Sequence, residues 1–215
     1  MNEKNSVGII ELASIFKGFE VQDAVLKYAN VEKMIARTIC SGKYLIIVRG
    51  GVADVEACLE IANEKGGFAI VSTTIIPRID PRVFPAITGP TTLQIERPVD
   101  GMLVIETFSV AAAIKAADYA VKEADLEINR IHVAMAIGGK GYVVLTGNMD
   151  ALKSAVEPAI EYTKEEGYNL RASNIYLIIP GDKILAPSIQ IITYSVAMLL
   201  TTELIAAQGE GINVS

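Results

Sequence analysis

Three kinds of side chain in this sequence have the chemistry for catalysis, metal binding or ligand capture: one histidine, two cysteines and a pair of Gly-Lys loops. His132 is the one imidazole of the chain. A His-rich metal site or a His pair is therefore excluded, and any Ser-His-Asp device would have to use it. It lies in the alternating run Ile131–His132–Val133, the pattern of a strand residue. Cys40 and Cys58 cannot build a disulfide framework. Ser41–Gly42 follows Cys40 as a turn signal and puts that thiol on an exposed loop, where a structural cysteine is less expected than in a core. Cys58 stands next to Leu59 on an apolar helical face and reads as a small core residue. Ser41–Gly42–Lys43 and Gly138–Gly139–Lys140 bring glycine and lysine together, as phosphate loops do. Neither has the Gly-x-x-x-x-Gly-Lys-Ser/Thr spacing of a nucleotide site. Glu11 and Glu106 are candidate acid–base carboxylates by type alone. No set of acid, base and nucleophile emerges, so an enzyme is not expected.

The elements that carry these residues occur twice. Val7–Leu12 resembles Met102–Thr107, with Glu11 on Glu106 at an offset of 95. The register continues through Ser14 to Ser109, Asp23 to Asp118, Lys27 to Lys122 and Ala29 to Ala124. Two extra residues are expected in the second copy near Leu126. Beyond them the offset is 97, with Gly42–Lys43 on Gly139–Lys140, Gly50 on Gly147 and Glu60 on Glu157. On that alignment Cys40 maps to Ile137 and Cys58 to Ala155. The two glutamates thus match because the repeat matches, which weighs against a catalytic pair.

Each half reads as β-α-β-β-α-β, an α+β sheet with helices on one face. Val7–Leu12, Met34–Ile39, Leu45–Val48 and Phe68–Ile76 are strand-like in the first half. Leu103–Thr107, Ile131–Ile137, Tyr142–Leu145 and Leu170–Ile179 are their counterparts. Phe16–Tyr28 and the Ala-rich Val110–Glu123 read as helices. So do Val52–Lys65 and its partner, where Pro158 should bend the helix or shift its start. Residues 6–88 and 101–187 are expected as two domains. The linker Pro77–Gly101 carries five prolines and should be stiff. In the extension 188–215, Ile189–Ala207 is mostly apolar but interrupted by polar residues. An amphipathic packing helix is favoured there over a membrane anchor. Lys27 and Lys122 lie near helix C-termini, where the dipole favours a cation; they are also free to meet a neighbouring molecule.

Composition narrows the class. Hydrophobic residues make up 51% and charged residues 20%, enough apolar surface to exclude long disorder. Lys+Arg is 19 against Asp+Glu 25, a net charge of −6. With no basic run, the chain is a poor partner for nucleic acid. The start MNEKNSVGII is not a signal peptide, and the cysteine usage suits a reducing cytoplasm.

Three stretches together resemble the bacterial microcompartment shell domain: Asp23–Val31, Ser41–Gly42–Lys43 and Val48–Val55, closed by Ile76–Pro77–Arg78. The second copy matches through Asp118–Lys122, Gly138–Gly139–Lys140 and Gly147–Asp150. The resemblance covers roughly residues 6–180. It implies a structural, tandem-domain shell protein with ferredoxin-like domains: a pseudohexameric homotrimer, packed with other shell proteins in a cytoplasmic compartment. Lys33–Lys43 and Glu106–Ala112 also resemble the trimeric iron–sulfur shell subunits of propanediol-utilisation compartments. In those, a Cys-Pro-Gly-Lys loop lines the central pore and holds a [4Fe–4S] cluster. Here Cys40 is in place and Ser41 replaces the proline. The resemblance implies pore loops at Ser41, Gly42, Lys43, Gly138, Gly139 and Lys140. It also implies edge packing through Lys27, Lys122 and Arg78, with no Arg78 counterpart in the second copy, which ends Ile179–Pro180–Gly181. Two readings of Cys40 remain open, a cluster ligand or a bare pore thiol. A soluble trimeric small-molecule sensor is the alternative to a shell tile, and assembly into sheets separates the two.

Overall fold

β-branched and apolar runs form the strands, and Ser-initiated amphipathic runs form the first helix of each half. The computed structural model describes residues 4–89, 100–107, 109–133, 140–165, 174–179 and 190–195. Copy one runs β1 (Ser6–Leu12), α1 (Ile15–Tyr28), β2 (Glu32–Ile39), β3 (Lys43–Gly50), α2 (Val52–Gly66) and β4 (Ile70–Ile76), followed by a short α3 (Val83–Thr88). Copy two runs β5 (Gly101–Thr107), α4 (Val110–Glu123), β6 (Glu127–Val133), β7 (Gly141–Gly147), α5 (Met149–Glu165) and β8 (Asn174–Ile179), followed by β9 (Gln190–Ser195). The sheets are antiparallel, in the orders β2-β3-β1-β4 and β6-β7-β5-β8-β9. This is the expected α+β duplication.

The repeat is visible in the caps. Ser14 Oγ accepts from Lys17 N at 3.3 Å, and Ser109 Oγ accepts from Ala112 N at 3.1 Å. Each satisfies one orphan N–H at a helix start, worth about 1 kcal/mol.

Strand register relocates the two-residue insertion. The first edge strand of each sheet carries an irregularity at the same place, Met34 between Lys33 and Ile35 and Asn129 between Ile128 and Arg130. Glu32 pairs with Arg49, and Glu127 with Thr146. Thr38 pairs with Tyr44, and Val133 with Gly141. The offset of 95 therefore holds to Val133, and the extra residues fall between Val133 and Lys140, not near Leu126. Ile137 is no longer fixed as the counterpart of Cys40. The loop of copy two reads Ala-Met-Ala-Ile-Gly-Gly over 134–139, so it holds no cysteine under any alignment.

Two other expectations change. The linker is not only proline-stiffened coil: residues 83–88 form α3. Pro85 is tolerated because it lies in the first turn, where N–H groups have no helical acceptor. The start of the C-terminal extension is a strand, not a helix, since β9 pairs with β8 from Asn174↔Ser195 to Ile179↔Gln190. Ile191, Ile192, Thr193 and Tyr194 have high β propensity, and β8 would otherwise present a bare edge. The rest of the extension lies outside the described residues. Among those described, no helix is long and apolar enough to cross a membrane. Helix α5 runs through Pro158 without a shifted start, since Met149 stands 97 residues after Val52.

Copy one buries both faces of its sheet. Ile10, Leu12, Ile46 and Val48 pack with Val21, Val25, Cys58 and Ala62 of the helices. On the other face, Val7, Ile9, Leu45, Ile47 and Ile76 belong to a core that includes Ile79, Val83 and Ile87 and continues into copy two through Leu103, Val121, Leu126 and Ile131. One apolar core thus spans both copies.

Candidate functional site

Strand β2 ends at Ile39 and the chain turns through a 3-10 turn at Cys40–Gly42 into β3. Gly42 has φ +71, a left-handed conformation that favours glycine, and a side chain built there would meet nothing within 4 Å. The turn therefore projects into open space. Cys40 is half-buried at its start, and neither cysteine is in a disulfide. Cys58, in contrast, is fully buried, and burial pushes its thiol up to about 11. It is the inert core residue expected from the sequence. Gly138 and Gly139 lie outside the described residues.

The lysines of the two Gly-Lys segments have partners that sequence reasoning did not assign. Lys43 Nζ donates to Glu11 Oε1 at 2.7 Å, and Lys140 Nζ donates to Glu106 Oε1. Glu11 is 7% exposed and faces away from the helices, on the side of Leu45 and Ile47. The repeat-matched glutamates are therefore charge partners of the repeat-matched lysines, which removes the acid–base reading. The invariance of Glu11, Glu106, Lys43 and Lys140 across the two copies was the available signal. Replacing Glu11 by Gln should leave the Lys43 charge uncompensated beside the loop and lower stability by about 1–2 kcal/mol, since an ion pair becomes a bond from the ammonium to a neutral amide oxygen. Urea denaturation checks this.

The candidate edge residues separate into two settings. Lys27 pairs with Asp23 at 2.6 Å, with both side chains 62% exposed. The Asp23 hydrogen bond raises the Lys27 pKa above its ordinary value. Lys122 makes the equivalent pair with Asp118 at 2.7 Å, but Asp118 is only 4% exposed. Copy one covers it: Asp80 N donates to Asp118 Oδ1 at 2.7 Å, and Lys122 Nζ donates to the Arg78 carbonyl at 2.9 Å. Lys122 and Arg78 are thus brought together, while Lys27 stands apart. Arg78 has φ +49, the one described non-glycine residue with positive φ. For a residue with a Cβ this costs roughly 1–2 kcal/mol.

Arg82 completes the joint. It pairs with Asp80 at 2.8 Å and donates to the carbonyls of Val121 and Leu126, capping the end of α4. Its guanidinium holds the Asp80 carboxyl below the usual carboxylate range. That contribution to stability is present above the unfolded carboxylate pKa and is lost as pH falls through the lowered folded value. Arg37 adds a second bridge, donating from Nη2 to the Val133 carbonyl at 2.8 Å. His132 is a strand residue as expected, stacked on Tyr142 with ring centroids 4.9 Å apart. Among the described residues, no cluster of three His, Cys, Asp or Glu side chains could hold a metal ion.

A duplicated α+β unit with a small-residue loop between its two middle strands matches a known domain. Residues 6–79 and 103–180 each match the model of the BMC domain. The chain belongs to that family. Over 162 residues it is 40% identical to the bacterial microcompartment shell protein PduT of Citrobacter freundii, covering 75% of this chain and 86% of that protein. A 77-residue stretch is 36% identical to the carboxysome shell protein CcmK2 of Synechocystis sp., covering 34% of this chain and 75% of that protein. The fold superposes on a microcompartment protein from Desulfitobacterium hafniense with a TM-score of 0.73 at 33% identity, covering 82% of this chain and 96% of that one. This BMC-family chain is a structural protein of a microcompartment shell, with two shell domains in tandem.

Proposed function

We propose that three copies of this chain close a ring of six shell domains and form a flat tile with a central pore. The observation that carries this is the joint inside one chain. Copy one already covers Asp118 of copy two, and the matching Asp23–Lys27 surface of copy one is bare. Two similar wedges joined this way close a ring with three chains. The loops at Cys40–Lys43 and 138–140 then meet at the axis, and the pore selects by diameter and lining charge. The Glu11 and Glu106 pairs offset part of the lysine charge there. Such a tile is not an enzyme. It sits in the shell of a cytoplasmic compartment, beside other shell proteins, with no membrane or nucleic-acid partner.

A [4Fe–4S] cluster on the three-fold axis is part of this reading. The residues fit: each chain offers one half-exposed thiol on a turn that opens into free space, whereas Cys58 is closed off. Three Cys40 thiolates would ligate three irons and leave the fourth to water or an outside ligand. Bound there, the cluster would pass electrons across the shell.

Assembly provides the test. Light scattering should give a trimer, and electron microscopy should show sheets or tubes at high concentration. Lys27→Glu is the clean edge variant, because Lys27 is exposed and, among the described residues, makes only its local pair with Asp23. It should abolish sheets and leave trimers folded. Lys122→Glu would instead place a carboxylate beside buried Asp118 and disturb the joint. A stable monomer, or normal sheets from Lys27→Glu, would refute the ring or the edge assignment respectively. The sensor alternative predicts a discrete trimer with no sheets.

A further inference from the structure

The two copies enclose a cleft of about 150 Å³ between β2, the end of α3, and β6. Met34, Ile35 and Ile87 form its apolar wall, and Arg37, Arg130 and His132 line it with polar groups. Arg49 and Arg82 meet carboxylates, Glu32 and Asp80. Among the described residues no carboxylate pairs with Arg37 or Arg130. A guanidinium has five N–H donors. Among the described residues those of Arg37 have one acceptor, the Val133 carbonyl, and its Nε is shut off from solvent without one. Burial also pushes the Arg37 pKa below its ordinary value. Arg130 Nη2 lies 2.9 Å from His132 Nδ1. Arginine can only donate, so Nδ1 is the acceptor in this contact. Arg130 also lies over the Tyr142 ring, 5.4 Å from its centroid. Both guanidiniums are therefore held in place, and two positive charges share one small cleft in a chain of net charge −6.

From this we infer that the cleft between the copies binds a small oxyanion, a carboxylate or phosphate group, between Arg37 and Arg130. Forked guanidiniums match the paired oxygens of such groups. At roughly 30 Å³ per water the cleft holds about five water volumes. That accommodates an oxyanion head of four or five heavy atoms, with any apolar remainder against Met34 and Ile87. The site lies within one chain, so it does not depend on the ring or the iron–sulfur cluster.

The single histidine is the reporter. Protein labelled with ¹³C at the histidine Cε1 is titrated with inorganic phosphate, acetate and chloride at constant ionic strength. Phosphate, acetate or both should shift the His132 resonance saturably, with half-saturation on the order of 1 mM, and chloride should not. The stronger of the two identifies the ligand class. Arg37→Gln and Arg130→Gln should each raise the half-saturation concentration at least tenfold. Arg130→Gln is the variant that spares the bridge from Arg37 to Val133, so it decides the outcome if Arg37→Gln fails to fold. The absence of a saturable shift with either oxyanion, an equal shift with chloride, or an unchanged midpoint in Arg130→Gln would overturn the proposal. None of these results bears on shell assembly.

Discussion

Cys40→Ser is expected to remove all cluster iron while leaving the trimer intact. The effect should be total because one substitution per chain would delete every thiolate ligand of the proposed cluster. Copy two cannot substitute, since no cysteine occurs between residues 134 and 139. The protein is to be reconstituted with iron and sulfide without oxygen. Wild type should then carry four irons per three chains and a broad visible absorption. Cys40→Ser should fall to background in elemental analysis. Cys58→Ala should keep the colour, because that thiol is fully buried and protonated. Exposure near a pore mouth should make the cluster oxygen-sensitive, so aerobic protein is the wrong sample. A colourless wild type after anaerobic reconstitution would leave Cys40 a bare pore thiol and the tile a plain metabolite gate.

Gly18→Ala should destabilise the protein although it places a better helix former inside α1. Alanine gains about 1 kcal/mol over glycine in a helix interior. At this position, however, a Cβ would lie 2.2 Å from Tyr44 Cγ and 2.5 Å from Tyr44 Cβ. Tyr44 cannot easily move: its hydroxyl donates to Gln22 Oε1 at 2.6 Å, and its ring packs on Phe19 with centroids 5.0 Å apart. Overpacking costs about 1–3 kcal/mol and occasionally more; an approach of 2.2 Å belongs at the top of that range, so the net loss after the helix gain is about 2 kcal/mol. The duplicated half makes the test sharper. Gly18 corresponds to Ala113 and Tyr44 to Gly141, and a Cβ on Gly141 would approach Ala113 Cβ to 2.8 Å. The two copies solve one contact in opposite ways, with the small residue on the helix or on the strand. Gly18→Ala should therefore be neutral or stabilising in a Tyr44→Gly background. Urea denaturation of the four proteins gives the coupling energy. A cost below about 0.5 kcal/mol for Gly18→Ala in the native background would show that α1 shifts freely.

The repeat, both sheets and the first helix of each copy were legible in the sequence. Helix α4 follows its predicted bounds because alanines and a Ser cap fix it locally. Local signals fail where pairing between distant segments decides. Residue similarity placed the insertion near Leu126, but strands accept many side chains on their exposed face, so similarity is weak along β2 and β6. Only the matched irregularities at Met34 and Asn129 locate it. The apolar start of the extension has no decisive period, and the edge of β8 makes it a strand. Cys40, Lys43 and Lys140 could be picked out as types at a turn. The glutamate partners of the two lysines, and the roles of Arg37 and Arg82, depend on contacts across 32 to 96 residues, which no local pattern encodes.

The joint made by residues 78–88 bears on how the chain folds as it is made. All four strands of copy one are synthesised before residue 101, and its sheet can assemble then. Ile79, Val83 and Ile87 have their cover only when α4, β6 and the turn between them follow, because that stretch supplies Val121, Leu126 and Ile131. A shell domain encoded alone would keep such a surface sticky until a second molecule arrived by collision. Here the cover is tethered a few tens of residues downstream. The encounter is intramolecular and its effective concentration is on the order of millimolar. If the proposed ring forms, duplication replaces a concentration-dependent step of its building with a first-order one, and halves the number of free molecules that must meet to finish it.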